Sequence, residues 1–200
     1  MHSIILASAS PSRKKLLEAA GIHPTIVVSG VDEDAEIYSS MSPSEMVIAL
    51  AIVKAHTVRE TLKEPALVIA CDSTFEFEGR SLGKPLTPEL AIKRAQMLSG
   101  KSGILHTGHC IIDTAKDREI SNLASTTVNF SIMNEIEIAD YVASGEPLGV
   151  AGGFTLDGLS SAFISSINGD YTNVIGLSIP LLRAMTSKLG YSWPDLKSQK

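Results

Sequence analysis

Apolar and polar positions alternate along the chain in short blocks, and several of these blocks predict strands. Continuous apolar runs at 4–7, 26–28 and 67–71 are typical of strands buried in a sheet, and the third run is predicted to end at Asp72. Further β-like stretches follow, with a turn around Gly79, at 74–77, 108–112, 120–130 and 163–167.

Helical spacing of apolar residues separates these runs. Ser10 and Pro11 predict the cap and the first residue of a helix that ends at Gly21. Pro43 opens a longer helix, whose predicted apolar face contains Met46, Leu50, Val53 and Thr57. Later helices are predicted at 90–98, 134–143 and 180–189. Early alternation of strands and helices, followed by hairpins, favours an α/β fold with a mixed sheet.

Composition is that of an ordinary globular protein with one domain. The 200 residues are 44% hydrophobic and 20% charged, which is enough to bury a core. Because no repeat, low-complexity tract or Pro/Gly-rich linker interrupts the chain, we expect a single domain over residues 1–194, with a polar tail at 195–200.

Charge and hydropathy exclude some classes of partner. A net charge of −5 argues against a general nucleic-acid surface, which needs a basic field to neutralise phosphates. The sequence starts without a basic region ahead of a long apolar segment, and no apolar run approaches the roughly 18 residues of a membrane span. We therefore expect a cytoplasmic protein with no membrane and no nucleic-acid partner. Cys71 and Cys110 lack metal-site spacing, so both are expected to be free, buried side chains.

The turn from Ala7 to Arg13 has the features of an anion site. Small residues at a strand-to-helix turn leave backbone N–H groups exposed, and the helix N-terminus adds partial positive charge. Ser8, Ser10 and Arg13 could therefore bind a phosphate, with Arg13 as a bidentate donor. Taken alone, the same turn also fits a Ser10 helix cap with Arg13 at the surface.

Charged residues in other segments extend this pattern. Asp72 follows a buried strand, where open α/β sheets present groups to a ligand, and Lys84 lies in the short turn Gly83–Pro85. Lys54 borders the apolar face of the long helix, and Glu33 lies in an acidic loop of the kind that supplies oxygen ligands to Mg²⁺ or Mn²⁺. Each residue alone also fits a solvated or turn position. Together, carboxylates and cations on several loops are what a metal-triphosphate site requires.

An ordered set of short segments resembles the Maf family of nucleoside triphosphate pyrophosphatases, once described as septum-formation inhibitors. The segments run from Leu6 to Leu177: Leu6–Arg13, Asp32–Glu33, Lys54–Ala55, Ala70–Ser73, Gly83–Pro85, Ser99–Gly100, Thr107–Gly108, Gly145–Pro147, Ala151–Gly152 and Asn173–Leu177.

The resemblance implies a fold and a reaction. The fold would be a mixed twisted sheet with flanking helices and a cleft between two lobes, as in the inosine triphosphate pyrophosphatases, frequently as a homodimer. The reaction would be hydrolysis of a nucleoside triphosphate to the monophosphate and pyrophosphate. Asp72 would be the proton acceptor, acting with Glu33 and Lys84. Glu33 and Asp72 would bind a divalent metal, Mg²⁺ or Mn²⁺, and Arg13, Lys54 and Lys84 would neutralise phosphates.

Three positions depart from the family's common pattern at places associated with the choice of base: Ser12, Ser73 and Asp157. An amide at position 157 could both donate and accept, whereas an ionised Asp157 only accepts. The choice of base therefore stays open, and the expected substrates are non-standard or surplus nucleotides, either dTTP/UTP-like or with modified bases. The alternatives are a nucleotide-sensing regulator of cell division that acts through a protein partner, and a structural domain with no nucleotide site.

Overall fold

The computed structural model describes residues 3–33 and 35–197 and contains strands, α-helices and 3₁₀ helices. The strands are β1 (Ser3–Leu6), β2 (Thr25–Ile26), β3 (Ala66–Phe77), β4 (Arg80–Leu82), β5 (Ser102–Asp113), β6 (Arg118–Phe130) and β7 (Ile164–Asn168). The α-helices are α1 (Pro11–Ala19), α2 (Pro43–Arg59), α3 (Pro88–Leu98), α4 (Glu135–Ala143), α5 (Tyr171–Ile175) and α6 (Ile179–Lys188). The 3₁₀ helices are Glu36–Tyr38, Glu146–Gly149, Ala151–Gly153, Leu159–Phe163 and Trp193–Leu196.

The strands form one mixed, seven-stranded sheet. Their order is β2-β1-β3-β5-β6-β7, and β4 pairs with β3. β1 runs parallel to β2 and β3, whereas the other pairs are antiparallel. Helix starts follow the sequence closely, because Ser10 caps α1 and Ser42 forms a capping box with Glu45 at the start of α2. The predicted α/β fold with a mixed sheet and flanking helices is confirmed.

One edge of β3 is left open in its middle. β5 pairs with β3 along residues 67–76, so β1 and β4 must both lie on the opposite edge. On that edge β1 pairs with residues 66–69 and β4 with residues 75–77. Within the described residues, no strand covers the edge between 70 and 74. A cleft opens at this gap, between the part of β3 that pairs with β1 and the part that pairs with β4.

Separate cores lie on the two sides of the gap. Around the first half of β3, apolar clusters pack on both faces of the sheet, one against α1 and α6 and the other against α2. Around the second half, Phe75, Phe130 and Phe154 contact one another edge to face with ring centroids 5.0 to 5.9 Å apart. α3 and α4 pack together beside this second core. We call the parts of the protein around these two cores the first and the second lobe. The long strands β3, β5 and β6 run through both lobes and so fix one relative to the other.

Three elements differ from the sequence-based expectation. The strand predicted at 108–112 begins at Ser102, because β6 pairs with it from that residue and β3 from Ile104. The strand predicted to end at Asp72 continues to Phe77, because β5 pairs with it throughout. The buried face of α2 contains Val47, Leu50, Ala51, Lys54, Ala55 and Val58, whereas Val53 is exposed. Residues 46–53 are apolar all round, so helical spacing alone fits more than one face.

Close packing against β5 selects the buried face of α2. A Cβ atom built on Gly108 would lie 2.1 Å from the carbonyl oxygen of Val47. Only glycine therefore lets the helix backbone approach the sheet this closely. This approach places Lys54, two turns further along α2, over the strand that carries Asp72.

Smaller features complete the comparison. Cys71 and Cys110 are free and buried as predicted, and they lie in the clusters on opposite faces of the sheet. In the segment predicted to be a polar tail, Leu196 packs into the first core and is 4% exposed, because the 3₁₀ helix Trp193–Leu196 turns it inward. Residues 198–200 of the tail lie outside the described residues.

His109 on β5 joins the sheet to the start of α6 and is held neutral. Its Nε2 accepts the backbone N–H of Ser178, 2.9 Å away, so its Nδ1 carries the proton and donates to the carbonyl of Thr107 at 3.0 Å. Burial lowers the pKa of His109 to about 4 from an ordinary value of 6.5.

Acid is expected to destabilise the fold through His109. Between pH 6.5 and about 4 the unfolded chain binds a proton that the folded chain does not, so stability falls as the pH falls through this window. The full loss is about 3 kcal/mol. Urea unfolding at several pH values should show wild-type stability falling toward that of His109→Gln as the pH drops. Exposed His23→Gln is the control, and parallel profiles for wild type and His109→Gln would contradict this assignment.

Candidate active site

The cleft at the open edge of β3 has a volume of about 460 Å³. It is lined by the turn after β1, the loop after β2, the middle of α2, the open part of β3, the turn after β4 and the segment after the 3₁₀ helix Ala151–Gly153. Every residue predicted to form the site lines this cleft: Ser8, Ser10, Ser12, Arg13, Glu33, Lys54, Asp72, Ser73, Lys84 and Asp157.

Arg13 fixes the turn after β1 against the rest of the cleft. The side chain is buried, and its Nε donates to the carbonyl of Gly176 at 2.8 Å. Its two Nη atoms donate to the hydroxyls of Ser8 at 3.0 Å and Ser73 at 2.9 Å. Three of the five guanidinium N–H groups are therefore used within the protein. The other two N–H groups can bind an anion. Because the protein already orients the Arg13 side chain, they need no rearrangement to do so.

Lys54 lies between two carboxylates. Its Nζ donates to Glu33 Oε1 at 2.5 Å and to Asp72 Oδ1 at 2.6 Å, and the side chains of Lys54 and Asp72 are 6% and 10% exposed. A lysine in the buried face of α2 is tolerated because these carboxylates neutralise it. The expected phosphate contact of Lys54 stays a prediction, and one ammonium hydrogen remains for it.

The cations around Glu33 lower its pKa and so favour its ionised form. Burial by itself raises the pKa of Glu33, but the hydrogen bond and the charge of Lys54, together with the charges of Lys84 and Arg13, outweigh it and leave the pKa below its ordinary value. Three cations from three separate elements thus act on one carboxylate. An anionic ligand entering the cleft meets the same three cations.

Asp72 and Ser73 use opposite faces of β3. Successive side chains of a strand alternate, so Asp72 faces α2 and Lys54 while Ser73 faces Arg13. The hydroxyl of Ser73 also lies 2.9 Å from that of Thr107 on β5. Both residues still line the cleft because the strand edge beside them is open.

The turn that carries Lys84 is attached to the second lobe. The guanidinium of Arg94 on α3 donates to the carbonyl of Gly83, which also accepts the N–H of Gly152 at 3.3 Å. Arg94 was not predicted as a site residue, and no motif marks it. Thr107 and Gly176 were likewise assigned no role, although both lie in family segments that could have drawn attention to them.

Apolar side chains form another part of the lining. Val28, Val31, Val150, Phe154 and Leu156 line the same cleft as Asp157. A cleft that combines converging cations with apolar surface suits a ligand that has both phosphates and a planar ring.

Glu33 and Asp72 also fit a divalent metal whose coordination shell would be completed by a bound ligand. Glu33 and Asp72 converge on the same ammonium, so both could reach one cation in its place. Across residues 3–33 and 35–197, no group of three or more His, Cys, Asp and Glu side chains could hold a metal by itself. Mg²⁺ commonly uses one or two carboxylates, with waters and substrate phosphates completing its shell. The residues present match that kind of site.

Known sequences place this chain in a family. The family described as Maf-like protein matches residues 3–189. The chain belongs to the Maf family. A nucleoside triphosphate pyrophosphatase of Streptomyces coelicolor is 50% identical over 194 residues, covering 96% of this chain and 93% of the relative. One of Thermosynechococcus vestitus is 46% identical over 200 residues, covering all of both chains.

Other comparisons add less. A solved dITP/XTP pyrophosphatase of Mycobacterium abscessus overlaps weakly, with a TM-score of 0.37 and 13% identity over 76% of this chain and 89% of that one. Among the helices of the described residues, none is both long and apolar enough to cross a membrane.

Removing Lys54 should destabilise the Maf fold. Lys54→Met leaves the Asp72 carboxylate 10% exposed without its cation, and we expect a loss of about 3 kcal/mol in urea unfolding. Combining it with Asp72→Asn should recover part of the loss. Lys14→Met, which breaks the exposed 3.6 Å pair with Glu18, is the control and should cost under about 0.5 kcal/mol. Equal, small losses for both single variants would show that the buried pair has no special importance for stability.

Proposed function

We propose that this protein hydrolyses a nucleoside triphosphate to the monophosphate and pyrophosphate, acting on modified or surplus nucleotides. The observation that carries the proposal is the position of Asp72, a buried carboxylate in a cleft where Arg13, Lys54 and Lys84 converge on Glu33. Maf relatives that share about half of this sequence bear the name nucleoside triphosphate pyrophosphatase. The enzyme is thus a hydrolase of phosphoric anhydride bonds.

The proposed reaction uses Asp72 as the proton acceptor. Its Oδ1 accepts from Lys54, while its Oδ2 has no hydrogen bond among the described residues and can take a proton from water. That water attacks the α-phosphorus, the bond from this phosphorus to the bridging oxygen breaks, and pyrophosphate leaves with the electron pair. Arg13, Lys54 and Lys84 neutralise charge that builds on the phosphate oxygens.

A divalent metal is part of the proposal. Glu33 and Asp72 would hold Mg²⁺ or Mn²⁺ together with phosphate oxygens of the substrate. When bound, such an ion neutralises phosphate charge and polarises the phosphoryl group. Before the ion binds, the ammonium of Lys54 keeps the two carboxylates close together and so limits their repulsion.

Specificity for the base would come from residues that differ from the common family pattern. Ser12 and Asp157 line the cleft, and Asp157 is exposed, so it can accept hydrogen bonds from a base. The Ser73 hydroxyl is already engaged by Arg13 and lies beside Thr107, which gives it a role in orienting Arg13.

We further propose that the enzyme acts in the cytoplasm, where free nucleotides are, and that it is a homodimer. Gel filtration can test the oligomeric state.

Asp72→Asn should abolish most of the activity. An amide cannot accept the proton from water, so pyrophosphate release with Mg²⁺ or Mn²⁺ should fall about 100- to 10,000-fold on every nucleotide of a panel. Asp140→Asn, an exposed change on α4, is the control and should leave the rate unchanged. Chelation of the metal should stop the wild type, and re-addition should restore it.

Two outcomes would count against the enzyme. Equal background rates for wild type and Asp72→Asn would exclude the proposed reaction. Nucleotide-dependent thermal stabilisation without any pyrophosphate release would instead favour a sensor that acts through a protein partner.

A further inference from the structure

Glu146 is not among the residues that line the cleft, but it accepts several hydrogen bonds from a loop that does line it, including one from Thr155. It begins the 3₁₀ helix Glu146–Gly149, and its Oε1 accepts the hydroxyl of Thr155 at 2.6 Å and the N–H of Ser160 at 3.4 Å. Its Oε2 accepts the N–H of Leu159 at 3.0 Å. One carboxylate thus binds three donors from a single loop, 155–160, and two of these donors are backbone groups.

The loop is built around this carboxylate. A Cβ atom on Gly158 would lie 2.5 Å from Glu146 Oε2 and 2.4 Å from the hydroxyl of Thr155, so a side chain at this position would displace Glu146 or Thr155 from the hydrogen bond that joins them. The ends of the loop close on each other, because the Ser160 hydroxyl donates to the carbonyl of Thr155 and accepts its N–H, both at 2.7 Å. Within this closed loop, the hydrogen bonds that Glu146 accepts from Thr155 and Leu159 restrain the conformation between the two ends.

The residues at the tip of this loop face the substrate cleft. Leu156 and Asp157 both line it, between the two ends of the loop that Glu146 binds. The 3₁₀ helix of Glu146 also leads to Gly149 and Val150, which line the same cleft. Burial alone raises the pKa of Glu146, but the hydrogen bonds from Leu159, Thr155 and Ser160, with a smaller contribution from the Tyr141 hydroxyl on α4, outweigh it, so the pKa lies below its ordinary value and the group is ionised at neutral pH.

We propose that Glu146 is a positioning residue for selection of the base: its carboxylate holds the 155–160 loop so that Leu156 and Asp157 face the ring of the nucleotide. The inference rests on the proposed function, because it needs a nucleoside triphosphate in the cleft. Glu146 acts through the loop and contacts no substrate. Its removal should affect recognition of the nucleoside and leave recognition of the phosphates intact.

The test is Glu146→Gln, which replaces one acceptor oxygen by an amide that opposes a donor. We expect KM for the best nucleoside triphosphate to rise about tenfold, the effect of losing a hydrogen bond to a charged group. The ratio of kcat/KM between the best and the worst base should shrink, with kcat within about twofold. Inhibition by pyrophosphate should stay within about twofold. Amide exchange at Leu159 and Ser160 should become faster.

Glu137→Gln is the matched control. Glu137 also accepts a backbone N–H, from Asn134 at 2.8 Å, but in the exposed capping box of α4. It should leave KM, the base ratio and pyrophosphate inhibition unchanged. Thr155→Val removes the hydroxyl that donates to Glu146 and also lies 3.5 Å from the Ser160 hydroxyl, and it should give a smaller change in the same direction as Glu146→Gln. If Glu146→Gln does not fold, the same measurements are made on Thr155→Val instead.

The outcomes separate this inference from the proposed function. An unchanged base ratio in Glu146→Gln, or in Thr155→Val where the former does not fold, would overturn the positioning role. A parallel weakening of nucleotide and pyrophosphate would also overturn it, as a general collapse of the cleft. If the wild type releases no pyrophosphate, the proposed function fails. The role of Glu146 is then decided by calorimetric binding to wild type and Glu146→Gln. Weaker binding of a nucleoside monophosphate by the variant, with unchanged binding of pyrophosphate, supports the role. Equal effects on both ligands reject it.

Discussion

Strand β3 has neighbours on both edges, but on one edge they leave residues 70–74 uncovered. Backbone and side chains at that gap face a cleft instead of another strand, and this is where Asp72 and Ser73 lie. A charged residue in the middle of a buried strand would normally be costly. Here the missing neighbour gives it access to ligand, and Lys54 on α2 supplies its counter-charge.

The open edge also determines how the cations are arranged. Because Asp72 and Ser73 point to opposite faces, the site takes Lys54 from the helix on one face and Arg13 from the helix on the other. Gly108 lets α2 lie close enough for the first contact, and the Gly176 carbonyl fixes Arg13 for the second. These side chains are held in place by protein groups, which would reduce the entropy cost of the proposed phosphate binding.

Hydrogen bonds to protein groups also organise the part of the cleft in the second lobe. Arg94 and Gly152 bind the Gly83 carbonyl beside Lys84, and Glu146 binds the loop that carries Asp157. In each case a group outside the cleft orients the segment that lines it. The residues proposed to face the phosphates and those proposed to face the base therefore depend on separate supports, so variation in one need not disturb the other.

Local patterns in the sequence were sufficient for the α/β class, for the Ser10 cap of α1 and the start of α2 at Pro43, and for the polar and charged residues predicted to form the site, all of which line the cleft. They were insufficient wherever long-range packing chooses between local options. The apolar residues of α2 fit several faces until Gly108 selects one, and β3 continues past Asp72 because β5 pairs with it. Arg94 had no local signal, because its partner is a backbone carbonyl 11 residues away. The sequence by itself determined which chemical groups are available and in which order. Only the tertiary structure decided which of them meet, because the open strand edge and the contacts across it join segments that are distant along the chain.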